Sequence, residues 1–296
     1  MRNYYAFGRG LLAGVVLLAA AVMARAATPG IPLAAADSSK TSKGRFTAGL
    51  TYGNNSLFFG RTQTTRYPYL SGELTYKLPA GFWGSVVSYD LFNTASFVDE
   101  TDASVGWDGD LSKSVDASVS YSHFFFAPNS PLLKSAVGNS LDGYLGWDWG
   151  YVYSRLSGSC LFGGAHDAFL ILDNSRYFEI NRVFTPQGYL SIEPRVSVLA
   201  GTQHFAQTSI ERRPTGNGGN GNGNGHGGQG QGPTTTVTTD NTRFRVLNYE
   251  ARVPVTYTLG KVAVETAWRY SIPVNLLPDD VTRARSYWTV GLLLNL

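Results

Sequence analysis

From Arg283 to Leu296, Trp288, Val290, Leu292, Leu294 and Leu296 alternate with Tyr287, Thr289, Gly291 and Asn295, and Leu293 is the one break. A period of two argues for an extended strand and against a helix, whose apolar residues recur every three or four positions. Such a strand is greasy along one whole face, and that face needs an apolar core or lipid to cover it. The same alternation recurs back to Arg45. Phe46, Ala48, Leu50 and Tyr52 form one face of the first run, and Leu70, Leu74, Tyr76 and Leu78 form one face of the second. Trp83, Val87, Tyr89 and Leu91 read as the apolar face of the third, opposite Gly84, Ser88 and Asp90. The clearest pair is Ala103, Val105 and Trp107, followed by Val115, Ala117, Val119, Tyr121, His123 and Phe125. Further runs fall near 141–148, 151–162, 168–181 and 190–205. The segment 243–259 places Leu247, Tyr249, Ala251, Val253, Val255, Tyr257 and Leu259 outward. After Gly260-Lys261, Val262, Val264, Trp268, Tyr270 and Ile272 oppose Glu265, Arg269 and Ser271.

These runs predict an all-β chain of about twelve strands, within a range of roughly ten to fourteen, closed into an antiparallel transmembrane β-barrel over 44–296. Two features favour lipid over a soluble sandwich as the cover. Charged residues make up 15% of the chain and aromatic residues 13%. The connections also sort by parity: those after even-numbered strands are short, and those after odd-numbered strands are mostly longer, with Gly163-Gly164 the weak point. Short turns at one end and long loops at the other are the pattern of a bacterial outer-membrane barrel. Mean hydropathy of -0.11 excludes a bundle of membrane helices but not a barrel, half of whose strand residues face water.

Met1 to Ala26 reads as a secretory signal, with Arg2 and Arg9 ahead of the apolar Leu11–Met23 and small residues in Ala24-Arg25-Ala26. Residues 27–43 read as a polar periplasmic leader. The net charge of +3 resides in the signal, because losing Arg2, Arg9 and Arg25 leaves basic and acidic side chains equal at 21 each. A basic pI therefore gives no reason to expect a nucleic-acid partner. The expected location is the outer membrane of a Gram-negative bacterium, and the expected partners are its lipid and the barrel-assembly machinery. Within the long connection 206–242, Gly216–Gly232 comprises ten Gly, four Asn, two Gln and one His, a composition that buries nothing and predicts a disordered extracellular segment.

The candidate site is the lumen. Inward-facing positions carry Glu73, Asp90, Asp102, Asp108, Asp116, Asp142 and Asp148 in the first half, with Lys77 as the basic exception. The second half carries Arg155, Arg195, Arg252, Arg269, Arg283 and Arg285, with Glu193, Glu250 and Glu265 among them. Closure would set an acidic wall against a more basic one, a transverse field that orients polar solutes and tunes ion preference. The function expected is a passive channel for small polar solutes or ions. In a narrower barrel the walls meet as salt bridges, which gives a structural or surface-interaction barrel with a closed lumen. A third reading, an outer-membrane acyl hydrolase, rests on His123 at the lipid-facing rim and needs a serine from a neighbouring strand, so the chain is not expected to be an enzyme. No cofactor is expected. Lone Cys160 closes no internal disulfide, and the histidines lack metal-ligand spacing.

The signal, the alternating strands and the apolar last strand resemble those of porin-like outer-membrane barrels. Leu57-Phe58-Phe59-Gly60-Arg61-Thr62-Gln63-Thr64, then Pro68 and Pro79-Ala80-Gly81-Phe82-Trp83, are similar to the opening of the uncharacterised Gcw_chp barrel family, as is Glu100–Tyr121 followed by Pro128. That family has an aromatic-Arg-Gly order where this chain has Phe59-Gly60-Arg61. The resemblance implies a barrel and assigns no catalytic residue.

Overall fold

A computed structural model describes residues 44–61, 66–92, 94–128, 130, 137–164, 166–202, 244–277, 280 and 282–296. The expected signal (1–26), leader (27–43) and Gly/Asn-rich segment (206–242) lie outside the described residues. The alternating runs become β1 (Arg45–Gly53), β2 (Tyr69–Lys77), β3 (Phe82–Leu91), β4 (Glu100–Asp110), β5 (Val115–Phe126), β6 (Asn139–Asp148) and β7 (Tyr153–Phe162). They continue as β8 (Asp167–Ser175), β9 (Phe178–Asn181), β10 (Gly188–Ile192), β11 (Arg195–Gly201), β12 (Arg245–Leu259), β13 (Val262–Pro273) and β14 (Arg285–Asn295).

Sequential antiparallel pairing runs from β1 to β8. β11 then pairs with β8 on one side and β12 on the other, and β12, β13 and β14 follow in order. β14 returns to β1 over Thr47↔Asn295 to Gly53↔Thr289, which closes the sheet. β8 with β9, and β10 with β11, are halves of two continuous staves. The register Ile192↔Val255 carries on unshifted as Arg195↔Arg252. Pro194 interrupts the ladder there because it has no N–H to donate. The structure is thus a closed antiparallel barrel of twelve staves.

The outside is the apolar face. Val105 is 60% exposed, Leu74 59% and Val196 58%, while inward Ser71 and Ser159 are buried. Connections 78–81, 111–114, 149–152, 182–187 and 260–261 gather at the end where β1 starts and β14 finishes; those at the other end are longer, except the four-residue 163–166 between β7 and β8. Gly260, at a φ of 58°, lets two residues reverse the chain between β12 and β13. Outward aromatic residues sit at two levels. Phe46 against Tyr76 (4.5 Å) and Trp147 on Trp149 (5.7 Å) mark the turn end. Trp268 beside Tyr270 (6.2 Å) and exposed Trp288, Tyr249 and Phe125 mark the upper half towards the loop end.

Two expected orientations are reversed. In β3, Phe82 and Val86 are the exposed apolar residues, whereas Tyr89 and Leu91 are buried inside with Tyr69. The pairing Leu74↔Val86 fixes this face, since directly opposed residues point the same way. The sequence is apolar on both parities there, so alternation could not decide between them. Leu247, expected outward, is fully buried inside. A register shift between Leu199↔Asn248 and Ala200↔Val246 leaves it as the extra residue of a bulge, which turns its side chain to the lumen.

Candidate functional site: the lumen and the hairpin that caps it

The inward positions of the acidic half hold Glu73, Lys77, Asp102, Asp108, Asp116 and Asp142. Lys77 pairs with Asp108 across β2 to β4, its side chain 37% exposed. The Tyr153 hydroxyl donates to Asp116 at 2.9 Å, and Ser140 and Ser159 donate to Asp142 at 2.5 Å. Thr75 donates to Glu73 at 2.9 Å. Asp90 is a correction: it lies opposite Leu70 on the outward face, because β3 is turned by one residue from the expected parity. Asp148 is exposed at a turn, where its carboxylate accepts from the Gly150 N–H at 2.7 Å.

The basic half departs from expectation in its partners. Arg155 reaches Asp173 at 2.8 Å, Arg195 reaches Glu193 at 2.9 Å, Arg252 reaches Glu265 at 2.9 Å and Arg269 reaches Glu250 at 3.2 Å. Each of these arginines is matched by a carboxylate on its own or an adjacent stave. Instead of a basic wall opposed to an acidic one, the described arginines of this half are neutralised locally. Arg285 starts β14 opposite Ser271 on the inward face, and Arg283 is exposed in the loop before it. Asp173 went unrecognised in sequence. Its strand sets Asp167, Phe169, Ile171, Asp173 and Ser175 against Ala168, Leu170, Leu172 and Asn174, so apolar residues fall on both parities.

The loop end of the lumen is filled by a segment that no charge pattern announces. Phe58 and Arg61 bond each other's backbones at 2.9 and 3.0 Å around Phe59-Gly60. Both central residues have positive φ, 44° and 77°, the geometry of a tight hairpin turn with glycine at its second central position. This hairpin folds inward. Phe59 stacks on inward-facing Phe169 of β8 at 3.8 Å, with the planes only 4° apart. β8 lies five staves from β1 one way round the ring and seven the other, so the tip has crossed the lumen. Phe59 and Phe58 join Val137, Leu161, Phe169, Leu199 and Leu247 in an apolar cluster.

Arg61 fastens the hairpin. It is 1% exposed, and its guanidinium donates to the carbonyls of Leu247 and Val274, each at 3.0 Å. Asp280 of the β13–β14 loop forms an ion pair with it at 3.3 Å. Burial pulls the guanidinium below its ordinary pKa, and Asp280 opposes that shift. Behind the hairpin a small cavity is lined by Asn55, Leu57, Arg252, Ala267, Arg269, Tyr287 and Thr289, so the cap sits directly above two of the arginine–glutamate pairs.

At the outer rim, His123 Nδ1 lies 2.7 Å from the Asn139 side-chain oxygen, which also accepts from the Tyr121 hydroxyl at 2.7 Å. Ala103 is opposite His123 on the other neighbouring strand. The serine that the hydrolase reading requires from a neighbouring strand is at neither paired position.

Fold and lining together define a closed twelve-stave barrel with an apolar outside and a polar, ion-paired inside. No family model matches the chain, so membership of the Gcw_chp family, suggested by Leu57–Thr64, is not shown. No curated protein matches it. Among solved structures it is similar to a KdgM porin (8% identity, TM-score 0.46), covering 84% of this chain and 99% of that one. It is also similar to the NanC porin (9%, 0.45, covering 85% and 100%) and to LpxR from Salmonella typhimurium (10%, 0.45, covering 84% and 99%).

Proposed function

We propose that this chain is an outer-membrane barrel whose lumen conducts small polar solutes or ions. The observation that carries the reading is the contrast between its two faces. Outward residues are apolar and exposed, between two levels of aromatic side chains, which suits a hydrocarbon slab bounded by two interfaces. Inward residues from the middle to the turn end include many hydroxyls, carboxylates and arginines among a few apolar side chains such as Ala263 and Leu293, a lining that solvates an ion or a polar solute at little cost. Lys77 and Asp108 keep 37% and 19% of their side-chain surface exposed although they face inward, as expected of a wet interior. The carboxylates of Glu73 and Asp116, which accept from the Thr75 and Tyr153 hydroxyls, favour cations over anions.

A closed, structural barrel is the second reading. It is favoured by the apolar cluster at the loop end, where Phe59 stacks on Phe169. Planar-bilayer recording of refolded residues 27–296 separates the two, after heat-modifiable gel migration has shown that the barrel forms. Current steps that scale with salt support the conduit. A folded barrel that stays silent under every condition, including variants without the cap, removes it and leaves the closed barrel.

A further inference from the structure

We infer that the Phe58–Arg61 hairpin is a removable plug, and that Arg61 is the latch that holds it in the lumen. This rests on the conduit reading. Three observations separate a plug from a permanent part of the wall. First, the hairpin is self-contained: among the described residues Phe58 and Arg61 bridge each other, and no ladder pairing of the barrel runs through 57–61. It can therefore leave without breaking any strand pairing. Secondly, its seat is made of side-chain contacts to elements far away in the chain. The Phe59 ring lies on Phe169, and Gly60 lies so close to β12 that a Cβ there would come within 2.6 Å of the Asn248 Cβ. Thirdly, the cation that fastens it is almost wholly buried and is held by the β12 bulge at Leu247, by Val274 and by Asp280.

The anchors of the approach to the hairpin lie at the rim. Asn54 exchanges hydrogen bonds with the Trp288 backbone, donating at 3.1 Å and accepting at 3.0 Å, and the Asn55 side chain accepts from the Tyr67 N–H at 2.9 Å. The segment 57–61 thus hangs inward from a fixed rim, with its contacts beyond that rim made by Phe58, Phe59, Gly60 and Arg61. Arg61 touches both β12 and the β13–β14 loop, so displacement of either loosens the latch. The plug faces the loop end, so events at that surface are the ones placed to release it.

The test uses the full mature chain in planar bilayers with two independent variants, Arg61→Ala and Gly60→Ala. The first removes the latch. The second adds a methyl group at a φ of 77° and against Asn248, which unseats the tip while keeping the charge. Both are expected to raise the open-state occupancy by about tenfold or more, Arg61→Ala through loss of charge-assisted hydrogen bonds and Gly60→Ala through backbone strain and the clash with Asn248. Heat-modifiable migration should be unchanged. A conducting wild type with unaltered variants overturns the plug and leaves the conduit standing. A silent wild type with conducting variants supports both. Silence of all three folded proteins removes both.

Discussion

Arg155 and Asp173 show how a lumen can be charged and still closed to free charge. The pair is 7% and 10% exposed at its side chains, Ser197 donates to the other Asp173 oxygen at 2.5 Å, and the Tyr144 ring lies 5.3 Å from the guanidinium carbon. Removing one partner strands the other in a site with little water. Asp173→Ala is therefore expected to destabilise the barrel by about 3 kcal/mol, at the low end for a broken buried pair. Lys77 is far more exposed, so solvent screens its bond to Asp108, and Lys77→Ala should cost no more than about 1 kcal/mol. Urea titration of both variants in lipid vesicles checks the ranking. Equal losses would mean that burial does not govern these pairs. Asp173 was not legible beforehand, because its value depends on Arg155 one strand away, and register is a property of the sheet.

At the scale of the strand, alternation determines which substitutions the barrel accepts. Val105 is exposed near the middle of β4, and Ser118 of β5 faces the lumen opposite Asp108. Arginine at position 105 must put a charge in hydrocarbon, which costs about 2–4 kcal/mol near the bilayer midplane. Arginine at position 118 enters a polar space beside a carboxylate and should change stability by less than about 1 kcal/mol. Folding titrations of Val105→Arg and Ser118→Arg into vesicles would show the difference. Similar losses for both would argue that the outside of the barrel does not meet lipid. Most strands were legible from this same alternation. β3 was not, because Phe82 and Val86 on one parity compete with Trp83, Val87, Tyr89 and Leu91 on the other. Its inward face becomes apolar where it meets the filled loop end, and nothing within the strand itself reports that contact.

For the whole molecule, the distribution of charge along the lumen sets the expected selectivity. Arg252 and Arg269 each hold a glutamate, Glu265 and Glu250. Replacing both arginines by glutamine removes two positive charges and leaves those carboxylates in place. The double variant should shift the reversal potential in a salt gradient towards stronger cation preference. An unchanged potential would show that ions do not pass these residues. This differs from the simpler expectation of an acidic wall facing a basic one, in which the same change would mainly flatten a transverse field. Because the arginines are neutralised within their own half, the field across the described residues is weaker than the sequence suggested.

The chain alone determined the closed all-β barrel, a stave number of about twelve within ten to fourteen, its apolar outside and most of its segregation of short turns from long loops. These follow from a period of two and from turn residues, which act over a few positions and are written locally. Only the tertiary structure decided the rest. It placed Arg252 on Glu265 and Arg155 on Asp173, turned Leu247 inward by a bulge, and carried Phe59 across the lumen to Phe169. Those outcomes depend on which strands become neighbours and at what register, and on a hairpin meeting residues more than a hundred positions away. No local pattern specifies such encounters, because they exist only once the ring is closed.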